Sequence, residues 1–250
     1  MPAIRGGTVL SMIGTLLAVS VGRAGTLLSG RRRVSTAFVK TQVDGRVAVS
    51  VAGVIGDEHV YEGHGGPDMA LLAYPVEHYE YWRSIGLHLP EAAAMAENLT
   101  VAGLVETDVQ IGDVFEVGTT RVQVTQPRRP CSKIAARYGR HDLAVLAQDT
   151  GFTGYLLRVL VPGEIGAGDE IRLVERADHG VTVAEAGRIV NVERNDLDGA
   201  RRVLAVTALG SDVRRTLMAR VESGERVGID AARLFDTGPD AVGTSRVGDL

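Results

Sequence analysis

The apolar runs of this chain are short, and glycine cuts them at close intervals: 31 of its 250 residues are Gly. Glycine supplies the positive-φ corners that turns require, so this punctuation fits a turn-rich β protein. Strand-like runs recur between the turns. Val34 to Val43 is rich in Val and Thr, and Val47 to Val54 alternates Val with Ala and Ser. Asp44-Gly45 between them is a hairpin turn signal. Further runs are Leu99 to Ala102, Val109 to Val117 around the turn Ile111-Gly112-Asp113, Arg121 to Thr125, Tyr155 to Val161 and Asp169 to Glu175. Many short strands at turn-marked spacing predict a mainly β, α+β protein built on a twisted barrel or sandwich.

Helix signals are local. Pro75 to Ser84 reads as a peripheral helix, with Pro75 in its first turn and Tyr74, His78, Tyr81 and Trp82 on one face. After Asp178-His179-Gly180 the composition shifts. Thr182-Val183-Ala184-Glu185 is a capping-box pattern. Asp196 is expected to cap a second helix through Val206, and Ser211 a third through Val221, closed by Gly224. At the N-terminus, Arg5 and the apolar run Thr8 to Val21 read either as a signal peptide or as a buried first strand, Leu16 to Val21, closed by Gly22; the strand is preferred. The expected organisation is an extension without order over 1–11, a β domain over 12–176, a helical segment over 177–235 and a flexible tail over 236–250.

Composition excludes some functions. The formal net charge is −4 and aromatics are 4%, which support neither a nucleic-acid coat nor a base-stacking platform. At 45% hydrophobic and 23% charged, the chain is ordinary for a soluble globular protein. Cys131 is its single cysteine. That rules out an internal disulfide, and one thiol cannot alone hold an iron–sulfur cluster. A lone cysteine also fits a reducing compartment, so a cytoplasmic location is expected.

Two segments carry chemistry. Cys131 lies in Thr125-Gln126-Pro127-Arg128-Arg129-Pro130-Cys131-Ser132-Lys133. A free cysteine is most often a small buried hydrophobe. Here two prolines and three cations argue for a rigid, solvated loop, and the cations favour the thiolate. The second segment is Gly63-His64-Gly65-Gly66-Pro67-Asp68. Its glycines let successive N–H groups converge on an anion, and His64 can deliver a proton near neutral pH. The same residues also suit a plain surface turn. His59 and His64 are not at helical metal-ligand spacing, and no Cys-x-x-Cys is present, so a zinc site is not expected. Arg31-Arg32-Arg33 reads as a solvated charge run.

Taken in order, four stretches resemble the MOSC domain family, of the bacterial stand-alone YiiM-like kind. They are Ile55-Gly56-Asp57; His64-Gly65-Gly66-Pro67-Asp68 with Ala70 and Tyr74-Pro75-Val76-Glu77-His78-Tyr79; Glu97-Asn98-Leu99-Thr100; and Thr125-Gln126-Pro127-Arg128 through Pro130-Cys131 and Lys133. One departure is Met95-Ala96, where relatives usually show Phe-Gly before Glu-Asn-Leu. The resemblance implies a MOSC-type β-barrel that binds molybdenum cofactor (Mo-molybdopterin), with Cys131 as the protein ligand to the metal. It gives Gly65, Gly66, Asp68, Asn98, Arg128 and Lys133 as cofactor-binding candidates, and His64, then Asp57, as proton donors beside Cys131. The activity implied is a two-electron reductase of N-hydroxylated compounds such as hydroxylaminopurines and amidoximes. The alternatives are a cofactor carrier without turnover and a sulfur carrier through a Cys131 persulfide. No dinucleotide fingerprint, haem-attachment motif or cluster cysteines occur in the sequence, so an external electron-donor reductase is the expected partner, with a small N-hydroxylated substrate, no nucleic acid and no membrane. A homodimer is left open.

Overall fold

The structure is a computed structural model that describes residues 12–29, 32–60, 65–224 and 231–235. The expected extension over 1–11, His64 and the expected tail over 236–250 lie outside the described residues.

The first strand, β1 (Ile13–Gly22), alternates exposed and buried positions and then stays buried from Leu16 onward on most residues. It contains the expected run. It is followed by β2 (Gly25–Ser29), β3 (Arg32–Thr36), β4 (Lys40–Gln42), β5 (Arg46–Ser50) and β6 (Gly53–Val54). Then come β7 (Leu71–Pro75), α1 (His78–Ser84), β8 (Leu99–Ala102), β9 (Val114–Val117) and β10 (Thr120–Pro127). Two helices, α2 (Ser132–Tyr138) and α3 (Leu143–Thr150), precede β11 (Tyr155–Val161), β12 (Gly163–Gly166) and β13 (Glu170–Glu175). The described residues close with α4 (Val183–Asn191), α5 (Leu197–Leu204), α6 (Ser211–Ser223) and α7 (Ala231–Phe235).

The main sheet runs β13-β9-β10-β11-β7-β8-β1-β4. Strand β1 also pairs with β13, with Ile13 opposite Arg172 and Thr15 opposite Glu170. That contact closes a seven-stranded barrel and leaves β4 as a spur on the far end of β1. Closure removes the unpaired edges that an open sheet would expose. The β7–β8 pair is parallel and the other barrel pairs are antiparallel.

Several local expectations are corrected. The chain bends at Asp44-Gly45, with Gly45 at φ 72°. It does not make a hairpin, because β4 pairs with β1 while β5 pairs with β12 and β6. Pro75 ends β7 opposite Val101 rather than opening α1. The Val76 N–H then donates to the Val101 carbonyl, so the helix starts only at His78. The cap of α6 is Gly210, with Ser211 as the first helical residue. The second C-terminal helix stops at Leu204, two residues before Val206. Thr182 behaves as expected: its side chain accepts from the Glu185 N–H. Asp196 likewise accepts from the Gly199 N–H.

Two apolar clusters hold the molecule together. One fills the barrel and continues without a break into α4, α5 and α6 through Val183, Ile189, Val203 and Leu217. The other packs α1, α2, α3 and α7 around Trp82, Tyr74 and Tyr79. In it the Trp82 indole N–H donates to the Tyr74 hydroxyl at 2.6 Å, and that hydroxyl donates to the Phe152 carbonyl at 3.0 Å. The His78 ring stacks on Phe152 at 4.0 Å and meets Glu106 at 2.6 Å. The cavity opens elsewhere, where β10 leaves the barrel.

Candidate functional site

A cavity of about 790 Å³ lies against the end of β10. Cys131 borders it, half-buried and outside any disulfide. The chain leaves β10 at Pro127, and the Arg128 N–H is held by the Gly154 carbonyl at 3.0 Å. Pro130 then restricts the backbone, and Cys131 takes the extended conformation (φ −133°, ψ 167°) that opens α2. The thiol-bearing loop is thus fixed at both ends.

Five cationic side chains share the lining: Lys40, Arg128, Arg129, Lys133 and Arg233. Several of them are held by different parts of the fold. Arg128 lies over the Phe38 ring at 5.8 Å. Arg129 reaches Asp212 at 3.3 Å and the Thr216 hydroxyl at 3.2 Å on α6. Arg233, on α7, donates to the Pro130 carbonyl next to Cys131 and to the Gln148 side chain. Helices α6 and α7 therefore form part of the wall.

The Lys40 side chain is buried, with 6% of it exposed. It pairs with Asp57, which is 3% exposed. Burial pushes the Lys40 ammonium below its ordinary pKa, and the Asp57 charge and hydrogen bond pull it back up. Asp57 also accepts from the Gly22 N–H at 2.6 Å and from the Asn98 amide at 2.8 Å. Asn98 is itself fully used: it accepts from the Leu72 N–H at 3.2 Å and donates to the Ser20 carbonyl at 3.2 Å. Lys40 and Asn98 face the cavity with Asp57 behind them.

Gly65 and Gly66 both hold positive φ, at 117° and 94°. Gly65 borders the cavity, and a Cβ there would come within 3.0 Å of the His59 ring. His59 is a lining residue too. Gly66 instead caps the 3-10 turn Pro67–Met69.

The sequence-based candidates thus divide. Cys131, Asn98, Arg128, Lys133 and Gly65 come together around one cavity. Gly66 shapes the loop behind it. Asp57, expected as a second proton donor, is a buried support for Lys40 and Asn98 and is not among the residues that border the cavity. Asp68 is likewise not among the lining residues: its carboxylate meets Arg158 at 2.8 Å and the Ser211 N–H at 2.8 Å, tying the barrel to α6. His64 lies outside the described residues. Sequence reasoning missed Lys40, Gln126, Arg129, His59 and Arg233 as lining residues. Gln126 and Arg129 sit inside the segment already singled out around Cys131. Lys40 and Arg233 carry no local motif, and only the fold brings them in.

Residues 60–172 match the MOSC domain model, and residues 181–224 match the model of the YiiM-like, 3-alpha helix domain. The YiiM protein of Escherichia coli (strain K12) is 40% identical over 197 residues, covering 76% of this chain and 86% of that protein. The crystal structure of YiiM from Geobacillus stearothermophilus superposes with a TM-score of 0.72 at 34% identity, covering 83% of this chain and 99% of that one. A protein of Gibberella moniliformis (strain M3125 / FGSC 7600) named a reductase is 34% identical over 189 residues; these are 74% of this chain and 34% of that longer protein.

Proposed function

The chain belongs to the MOSC domain family and carries a YiiM-like three-helix unit, and from that premise we propose that its cavity holds molybdenum cofactor on Cys131 and that the loaded protein reduces N-hydroxylated compounds. The observation that carries this reading is the meeting of the single thiol with five cations at one cavity.

The residues present fit the group. A thiolate is a soft ligand, suited to molybdenum beside the dithiolene sulfurs of the pterin. The cofactor's phosphate and dithiolene are anionic, and Arg128, Lys133 and Arg233 in the lining would offset that charge, while Lys40 and Arg129 already face Asp57 and Asp212. A volume of about 790 Å³ is that of a site for a cofactor-sized ligand. One lining residue, Gln126, has an amide oxygen that is buried without a hydrogen-bond partner.

When bound, the cofactor supplies the two-electron chemistry that protein side chains lack. The chain's own residues do the rest. Cys131 holds the metal end, braced by Pro130 and by Arg233 on the Pro130 carbonyl. Phe38, Met69, Leu72 and Leu156 line the cavity and keep water from the reacting atoms. Reduction of an N–OH group takes up protons. Lys40 and His59 are the described lining groups that can carry a proton there. Electrons come from an external reductase in this reading.

The reductase name of the Gibberella moniliformis relative favours turnover over a carrier role. The test is single-turnover reduction: the cofactor-loaded protein, a chemical reductant, and a panel of hydroxylaminopurines and amidoximes. The expected result is loss of N–OH compound in molar proportion to molybdenum. Cofactor binding with no loss across the panel would replace the reductase with a carrier.

A further inference from the structure

The charges of this chain are segregated. Residues 12–43 and 127–141 hold ten of its 27 Lys and Arg and none of its 31 Asp and Glu, although the formal net charge is −4. The fold brings the two stretches together, because α2 packs against the β2–β3 ribbon and also against α7. No carboxylate side chain lies within any of these elements.

Strand periodicity sorts the faces of the ribbon. Leu27 stands opposite Val34; Val34 is buried, and Leu27 packs on the second apolar cluster. The next pair, Leu28 opposite Arg33, faces solvent, and Leu28 is 68% exposed. On α7, Leu234 is buried while Phe235 is 49% exposed. Half-buried Lys133 and Arg137 on α2 add to the cations. Two exposed apolar side chains thus sit on a cationic surface. Each element also has one residue in the cavity lining: Thr36 ends β3, Cys131 opens α2, and Arg233 lies on α7. A partner seated here meets the elements that carry and brace the thiol.

We infer that the β2–β3 ribbon, α2 and α7 form the docking face for the electron donor, a small protein with an acidic surface around its flavin or iron–sulfur group. The donor's role rests on the function proposed above. Breaking one N–O bond to give the amine and water takes two electrons and two protons, and oxidation of the donor's reduced flavin or cluster supplies the electrons. Opposite charges speed such an encounter and set its orientation. Leu28 and Phe235 give it apolar contact. A nucleic acid would use the cations and leave both apolar side chains without a role.

The test uses the full chain as wild type, Leu28→Ala, Arg33→Glu and Arg201→Glu. The last reverses an exposed charge on α5, which packs on α4 and α6. The probes are an acidic FMN flavodoxin, an acidic iron–sulfur ferredoxin and a single-stranded oligonucleotide. Kd is measured at low and at physiological salt, with sedimentation of each chain alongside. Wild type is expected to bind at least one of the two acidic proteins, and more weakly at the higher salt. Arg33→Glu should weaken that binding about tenfold and Leu28→Ala about threefold, while Arg201→Glu changes it less than about twofold. Wild type that binds neither acidic protein, an Arg33→Glu chain that binds as tightly as wild type, or an equal loss in Arg201→Glu would each overturn the inference. So would an oligonucleotide that binds more tightly than either protein and is lost in Arg33→Glu, or a wild-type dimer that Leu28→Ala dissociates, since each gives the face another occupant. If Leu28→Ala does not fold, Arg33→Glu decides by the same criteria. Docking needs no bound cofactor, so it is scored apart from N–OH reduction, which the loaded wild type reports with a chemical reductant.

Discussion

Ala93 and Ala96, in the loop before β8, hold φ values of 57° and 66°. A left-handed backbone costs a residue with a Cβ roughly 1–2 kcal/mol. The loop accepts that cost because Glu97, fully buried, ties it down: it accepts from the Met95 N–H at 2.8 Å, the Thr100 hydroxyl at 3.0 Å and the Tyr79 hydroxyl. Burial and the Glu97 charge push the Tyr79 hydroxyl far above its ordinary pKa, so it stays a donor. Ala96→Gly should therefore stabilise the protein by up to about 1 kcal/mol, after the entropy that glycine loses on folding. Denaturant unfolding with an unchanged slope would show it. The sequence marked this position, since Ala96 stands where relatives show glycine; it could not show that the loop keeps the glycine-like conformation. The Lys40–Asp57 pair was not legible at all, because the two residues meet only through the β1–β4 pairing. Lys40→Met leaves the Asp57 charge buried and unpaired, and should cost about 3–5 kcal/mol. Adding Asp57→Asn should recover most of that loss. A double variant no more stable than Lys40→Met alone would contradict the pairing.

Elements with their own end signals were readable. Thr182 and Asp196 cap α4 and α5 through side chains three residues from the groups they bind. Helices α2 and α3 have no side-chain cap hydrogen bond, so no reciprocal cap pattern marks their starts in the sequence. The Asp44-Gly45 bend was legible, while the partners of β4 and β5 lie far along the chain. Asp68 shows how an element contact can look like a binding residue. It joins the 3-10 turn to the start of α6 through Ser211 and to β11 through Arg158. Burial pushes its pKa up, but the Ser211 hydrogen bonds and the Arg158 charge outweigh this, and the net shift is below the ordinary 3.8. A carboxylate with a lowered folded pKa stabilises the fold above its unfolded value and loses that contribution as pH falls through the folded value. The thermal midpoint of Asp68→Asn should thus lie below that of wild type at pH 6. The two should converge as pH falls below about 4, where wild type also loses the charge. A constant gap across that range would mean that Asp68 acts by packing alone.

At the scale of the molecule, the barrel, the three-helix segment and α7 all contribute to one cavity. Cys131, Asn98, Arg128 and Lys133 were readable because each sits in a short motif. Arg233 was not, since it joins through packing of Leu234 into the second cluster. Among the described residues, no helix is long and apolar enough to cross a membrane. The central claim is that the single thiol holds a pterin-borne metal in this cavity. Its most direct test is molybdenum and pterin content of wild type beside Cys131→Ser, each purified from cells that make the cofactor. The account predicts near-stoichiometric molybdenum in wild type and a large loss in the variant at unchanged thermal stability. Equal molybdenum in the two proteins would contradict it.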